Sequence, residues 1–247
     1  MEPGKFLTAY DLKNQFFHIR LHESQKKFFG FAVPDEKGGM QFYQFKILVY
    51  GSKPAVAVVT DLLKPVKAYL HRQGVKISIY VDDGRVGAGS EPEARVKTKL
   101  VLAVMQLAGW NIQWAKTKVD PVQQLLYLGF IMDTVKMAYY TPLEKLELLA
   151  GQLSDTVTAA ENGEPLAARH LAQVVGQVAA LRRSHGTIVG VMSRSVQHEL
   201  GVHTLDNGWD TSLFISGHAV RELCFLMDII FECNGQLIFW RHQYPII

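Results

Sequence analysis

Cysteine is nearly absent: Cys224 and Cys233 are the only two in 247 residues. They fall in one predicted helix, about 13 Å apart along its axis at 1.5 Å per residue, too far to bridge each other. Such a chain fits a reducing compartment, cytosol or nucleus. No apolar run reaches the ~18–20 residues of a membrane span, and the opening MEPGKFLTAYD lacks the charged-then-apolar layout of a secretory signal. The nine histidines are scattered without zinc spacing, and His198-Glu199 lacks the second histidine of a zincin helix. Ser184-His185 and Asp155 give no triad pattern. Internal repeats and low-complexity tracts are also missing. Disulfide scaffolds, membrane spans, solenoids, zinc sites and serine hydrolases are thereby set aside.

What is present is an ordinary globular composition, 48% hydrophobic and 20% charged, long enough for one large domain or two small ones. The net charge of +3 is unevenly spread. Residues 1–80 hold 12 Lys/Arg against 6 Asp/Glu, residues 81–160 hold 8 against 9, and residues 161–247 hold 6 against 8. A basic first third suits a phosphate-facing surface, and a solvated lysine-rich face accounts for it almost as well.

The periodicity reads as strands first and helices later. FLTAYDL is a strand ending at an acid, and alternation continues in Phe17, Ile19 and Leu21. KFFGFAV and MQFYQFKILVY flank the turn-forming PDEKGG as a hairpin. After Pro54 a helix sets Val58, Leu62, Val66 and Leu70 on one face, with Pro65 as an internal kink, and stops at Gly74. Ser90-Glu91-Pro92-Glu93 reads as a capping box opening a helix with Val96, Leu100, Val104 and Leu107 inward, closed by Gly109. Short strands follow at NIQWAKTKV, LLYLGFIM and VKMAYY, with a turn at Asp133-Thr134. Thr141-Pro142-Leu143-Glu144 reads as another capping box. Its helix ends near Asn162-Gly163, and further helices cover about Pro165–Arg183, Thr187–Leu200 and Ser216–Cys233. The fold class is α+β, with helices packed on one face of a largely antiparallel sheet. Boundaries fall near residue 138 and residue 205.

The centre of the chain is KISIYVDDGRVG, Lys76 to Gly87. Ile77, Ile79 and Val81 alternate with Lys76, Ser78 and Tyr80 as in a half-buried strand, which runs into Asp82-Asp83-Gly84, a strong hairpin-turn signal. Two adjacent carboxylates at a tight turn repel each other unless something positive lies between them. The pair alone reads as a polar surface turn more readily than as a divalent-metal site. A metal site for phosphoryl transfer requires further carboxylates converging on two ions. Asp11, at the end of the first strand, supplies one if the two strands are sheet neighbours.

Five ordered blocks carry a resemblance to reverse transcriptases of retroelements. AYDLKNQFFHIR resembles the first catalytic stretch, and YVDD resembles the tyrosine-x-Asp-Asp hairpin. LVYGSKPAVAVVTDLLKPVKAYL is similar to the glycine segment leading into a helix. GWNIQWAKTKVDPVQQLLYLGFIMDT resembles the lysine stretch and the primer-grip strand. TPLEKLELL with ARHLAQVVGQVAAL resembles the helical thumb. The blocks most resemble the gypsy-like and tyrosine-recombinase-bearing retrotransposons.

The resemblance implies a polymerase-type palm over 1–138, a thumb over 139–204 and a connecting segment over 205–247. It implies RNA-directed DNA polymerisation on an RNA or DNA template-primer, using dNTPs and two Mg²⁺ ions, with Mn²⁺ as a substitute. Asp11, Asp82 and Asp83 match the metal ligands, and Lys116 the lysine that protonates the pyrophosphate. Phe16 matches the aromatic beneath the incoming sugar, next to Gln15 where a small residue is usual. Gly51 matches the glycine against which nucleotide and template pack. Leu128, Gly129 and Phe130 match the primer-contacting turn. The resemblance also implies a fingers region upstream and an RNase H region downstream, neither found in residues 1–247, so that the chain is expected to be part of a longer polyprotein. The alternative is a truncated or host-retained protein that binds nucleic acid or a partner without synthesis. Taken singly, Phe16 suits a core, Lys116 a solvated surface and Gly51 a loop. Tyr43, Trp110 and Trp114 could stack bases, with core packing the expectation for each.

Overall fold

The structure, a computed structural model, describes residues 2–238; the last nine residues of the expected connecting segment lie outside them. The chain divides into two compact units, Gly4–Gln123 and the residues from Gln124 onward together with those before Gly4.

The first unit runs β1 (Phe6–Asp11), a 3₁₀ turn (Gln15–His18), α1 (Glu23–Lys26), β2 (Gly30–Pro34), β3 (Met40–Gln44), α2 (Ala55–Arg72), β4 (Lys76–Tyr80), β5 (Asp83–Ala88), α3 (Glu91–Leu107) and β6 (Lys118–Val122). Its main sheet has the order β4-β5-β1-β6, antiparallel at each pairing. Residues directly opposite in such a sheet share a face. Thr8 and Tyr10 of β1 therefore lie with Val86 and Gly84 of β5 and Ile77 and Ile79 of β4. This is the face that α2 and α3 cover. Tyr10, Ile77 and Val86 form one buried cluster with Val59, Leu63 and Leu70 of α2 and Val101 and Met105 of α3. Asp11, Asp83, Arg85, Ser78 and Tyr80 fall on the opposite face.

The helix faces differ from the apolar stripes in the sequence. On α2 the buried positions are Ala55, Val59, Leu63 and Leu70, while Leu62 is half exposed. A strict four-residue step drifts ~40° each time on a 3.6-residue helix, so the true seam mixes steps of three and four. On α3 the inward line is Ala94, Thr98, Val101, Leu102 and Met105; Val96 and Leu107 point to solvent. Thr98 anchors that line, its hydroxyl bonding the Thr8 hydroxyl at 2.7 Å and the Ala94 carbonyl. Ser90 caps α3 by accepting from Glu93 N–H, and Glu93 accepts from Gly89 N–H. Phe17, expected in a strand, belongs to the 3₁₀ turn, and only Arg20 pairs beyond it, with Ile47. The β2–β3 hairpin forms a separate two-stranded sheet, every residue of it exposed.

The second unit contains β7 (Gln124–Tyr127), β8 (Phe130–Asp133), β9 (Ala138–Tyr140), α4 (Leu143–Glu161), β10 (Leu166–Ala167), α5 (Ala168–Ala180), α6 (Arg182–His185), α7 (Ile188–Val191), α8 (Arg194–Asn207), β11 (Ser212–Leu213), α9 (Gly217–Ile229) and β12 (Gln236–Leu237). LLYLGFIM is thus a hairpin rather than one strand. Thr141 does not cap α4, whose N-terminus has no side-chain cap. Its hydroxyl is committed instead to Ser184 Oγ at 2.6 Å, and its backbone exchanges two bonds with the Asn234 amide. The helix expected over Thr187–Leu200 is two, broken at Met192–Ser193, and the second continues to Asn207. Helix α9 stops at Ile229, so Cys233 lies beyond it; both cysteines are free. Leu146, Leu149, Leu153, Leu171, Val174, Val178, Leu223 and Leu226 fill the core. No helix among the described residues is long and apolar enough to cross a membrane.

Candidate active site

Strands β1 and β5 are neighbours, and their register sets Asp11 directly opposite Asp83. Asp82 occupies the connecting turn. The turn is not centred on Asp-Gly: Tyr80 pairs with Asp83, so Val81 and Asp82 are the two loop residues and Asp83-Gly84 already belong to β5. Val81 has φ of 56°, a left-handed conformation that a β-branched residue rarely takes and that costs about 1–3 kcal/mol. The sheet holds it there: Leu12 N–H donates to the Asp82 carbonyl at 3.0 Å, tying the turn to the end of β1. Gly84 follows for a different reason. The Tyr10 ring lies across it, and an added Cβ would overlap the Tyr10 Cζ, Cε1 and Oη atoms. The glycine lets a buried aromatic pass directly beneath the acidic hairpin.

On the other side of β1, Gln113 N–H donates to the Asp11 carbonyl and Lys13 N–H to the Asn111 carbonyl, both at 2.8 Å. This lays the 111–117 segment beside the site and brings Lys116 Nζ to 3.4 Å from Asp11 Oδ2. Asp11 is buried and Lys116 mostly exposed. Burial first, then the charges of Asp82 and Asp11, push the Asp83 pKa above its ordinary value; Lys116 pulls the other way. Three carboxylates supply oxygen donors at one end of this face. Hard, oxygen-preferring divalent cations suit that donor chemistry. As the side chains stand, no three acidic, histidine or cysteine groups among the described residues are gathered closely enough to hold an ion, and Asp11 turns toward Lys116.

Gln15 and Phe16 sit in the 3₁₀ turn four residues past the end of β1, both buried. Asn14 opens the turn with φ of 52°. Gly51 takes φ of 79° with open space where a Cβ would be, so its backbone angle and not crowding calls for glycine. Trp110 is core, stacked on His18. Tyr43 and Trp114 depart from the core expectation and are about half exposed. Leu128, Gly129 and Phe130 belong to the second unit. Leu128 and Gly129 are the two loop residues between β7 and β8, with φ of 50° and 82°, the type I′ pattern. Lys145 Nζ donates to the Gly129 carbonyl. Ser184 and His185 do contact, at 2.8 Å, but both are buried and the outer imidazole nitrogen meets the Ile230 carbonyl, so the pair is a structural tie. Two residues of the first unit have contacts that the sequence does not signal: Gly84, legible there only as part of a turn, which lies on Tyr10, and Tyr50, which packs on Phe16.

The first unit is thus an antiparallel sheet backed by two helices, with carboxylates at one end of its open face. The family profile described as reverse transcriptase (RNA-dependent DNA polymerase) matches residues 2–132, and the chain belongs to that family. It is similar to the Gag-Pol polyprotein of Avian leukosis virus subgroup A, 28% identical over 138 residues. It is also similar to that of Gibbon ape leukemia virus, 27% identical over 147 residues. These matches cover 53% and 58% of this chain and 8% of each polyprotein. Among solved structures, the foamy viral protease-reverse transcriptase dRH in complex with ds DNA superposes with a TM-score of 0.68 at 15% identity, over 98% of this chain and 37% of that one. The foamy viral protease-reverse transcriptase with RNA/DNA hybrid gives 0.66 at 16% identity, over 94% of this chain and 28% of that one.

Proposed function

We propose that the chain is the palm and thumb part of an RNA-directed DNA polymerase of a retroelement, extending a primer 3′-end along an RNA or DNA template. The observation that carries this reading is the register pair Asp11–Asp83 with Asp82 in the adjoining turn. Two Mg²⁺ ions held by Asp11, Asp82 and Asp83, or Mn²⁺ in their place, would lower the pKa of the attacking hydroxyl and neutralise charge on the phosphate. The remaining work falls to positioning by the chain's own residues. Phe16 would lie beneath the incoming sugar, with Gln15 beside it. Lys116, 3.4 Å from Asp11, would protonate the leaving pyrophosphate, and the backbone at Gly51 would face nucleotide and template. In the second unit, the Leu128–Phe130 turn would contact the primer. The expected division, palm 1–138, thumb 139–204 and connecting segment from 205, is part of this proposal, as is kinship with gypsy-like and tyrosine-recombinase elements. The relatives' large polyproteins favour fingers and RNase H regions as further partners. Cytosol or nucleus is the proposed compartment.

Asp82→Asn and Asp83→Asn should each abolish Mg²⁺-dependent primer extension with the circular dichroism spectrum unchanged. Extension surviving both substitutions sinks the assignment. A second reading, nucleic-acid binding without synthesis, is favoured by the Asp11–Lys116 pair, which occupies a proposed metal ligand. It predicts duplex binding with steep salt dependence and no dNTP incorporation.

A further inference from the structure

Tyr50, in the segment joining β3 to α2, has no part in the chemistry above. Its ring stands edge-on to Phe16, centroids 4.7 Å apart and planes at 87°, and edge-on to Phe17 at 5.5 Å and 80°. Its hydroxyl donates to Gln15 Oε1 at 3.3 Å. One side chain therefore touches three consecutive residues of the 3₁₀ turn. Gln15 and Phe16 are buried at 3% and 5% exposure, whereas Tyr50 is 53% exposed, so the tyrosine closes the turn on its solvent side. Gly51, with its left-handed φ, follows immediately and fixes the chain reversal from which the Tyr50 side chain projects.

We propose that Tyr50 is a positioning residue that holds the Phe16 ring in one orientation, and that it thereby sets the preference for deoxyribo- over ribonucleotides. This rests on the reading of Phe16 as the ring beneath the incoming sugar. A ring can exclude a single hydroxyl only if it cannot swing aside. Phe16 is held from behind by the core it shares with Leu12, Leu48 and Val59, and from the front by Tyr50. Edge-to-face contacts fix ring orientation as well as contact. Gln15, bonded to the same tyrosine, adds a polar tie that the usual small residue could not make.

The test measures kcat/KM for insertion of dATP and of ATP by the full chain on a primed template, with binding of both nucleotides measured in parallel without turnover. In Tyr50→Ala the deoxyribo/ribo ratio should fall about ten-fold, through a gain with ATP rather than a loss with dATP. Tyr50→Phe keeps both ring contacts and should stay within about two-fold of wild type. An unchanged ratio in Tyr50→Ala overturns the inference while leaving the polymerase reading in place, as does an equal loss with both nucleotides. A Tyr50→Phe chain as indiscriminate as Tyr50→Ala refutes the claim that the ring does the holding. A wild-type chain that neither inserts nor binds either nucleotide removes the polymerase reading itself, and this inference with it.

Discussion

Replacing Gly84 by alanine should invert an ordinary rule. A glycine inside a strand is normally worse than alanine by about 0.5–1 kcal/mol, because the unfolded chain gains entropy and the strand gains no contact. Gly84 is central in its sheet, paired with Tyr10 on one side and Ile79 on the other. An added methyl would fall inside the Tyr10 ring, and Tyr10 is only 1% exposed. The protein has two ways out. Expelling the ring forfeits an aromatic core residue, about 3–5 kcal/mol. Shifting β5 away overpacks the sheet, about 1–3 kcal/mol. The cheaper route sets the result, a loss on the order of 2–3 kcal/mol and a fall in the unfolding temperature near 10 °C for a unit of this size. Thermal and urea unfolding followed by circular dichroism read it directly. A double-mutant cycle sharpens it: with Tyr10→Ala already made, Gly84→Ala should cost less than about 0.5 kcal/mol, leaving a large coupling energy. A single Gly84→Ala variant as stable as wild type, or an additive cycle, refutes the reasoning.

The Asp83 pKa is raised by burial and then by Asp82 and Asp11; its protonated form favours the fold, fully so below the unfolded pKa, and that stabilisation is lost as pH rises through the folded value. Asp83→Asn should therefore melt above wild type at pH 7 in EDTA, the gap closing below about pH 4; a lower melting temperature at pH 7 contradicts this. Leu128 holds φ of 50° in a type I′ turn, where asparagine is at ease, so Leu128→Asn should add about 0.5–1 kcal/mol by urea unfolding. If the turn contacts primer, the same variant should bind duplex more weakly in a filter assay. Asp133 accepts from Val135 N–H, Lys136 N–H and the Gln124 amide; burial pushes its pKa up, but these bonds outweigh it and leave it lowered. Its contribution is present above the unfolded pKa and is lost as pH falls through the folded one. Asp133→Ala should cost about 1–3 kcal/mol at pH 7, and less in acid, by thermal melting.

How far the site could be read from the sequence differs from residue to residue. Alternation placed Asp11 and the Asp82-Asp83 pair at strand ends, and the family motifs gave them a role. That β1 lies beside β5 is a pairing across about seventy residues, which no local pattern encodes. The turn was misplaced because Asp-Gly propensity is local, whereas the register of β4 against β5 is fixed by the buried face and forces Val81 into the left-handed region. The α3 face was misread because Ala94 and Thr98 carry little hydrophobic signal, yet the Thr8–Thr98 bond decides which side faces the sheet. Thr141 has a capping sequence, but Ser184 and Asn234, far along the chain, compete for it and win. Tyr50 was invisible because its partners lie 33–35 positions earlier.

The β2–β3 hairpin is an open surface for self-association. Phe31, Phe42, Tyr43, Met40 and Val33 are all exposed on its two strands, and no third strand pairs with it among the described residues. Open strand edges flanked by aromatic rings are templates for pairing with another molecule. Lysine at Phe42 and Met40 should therefore raise the monodisperse fraction of the isolated chain on size-exclusion chromatography.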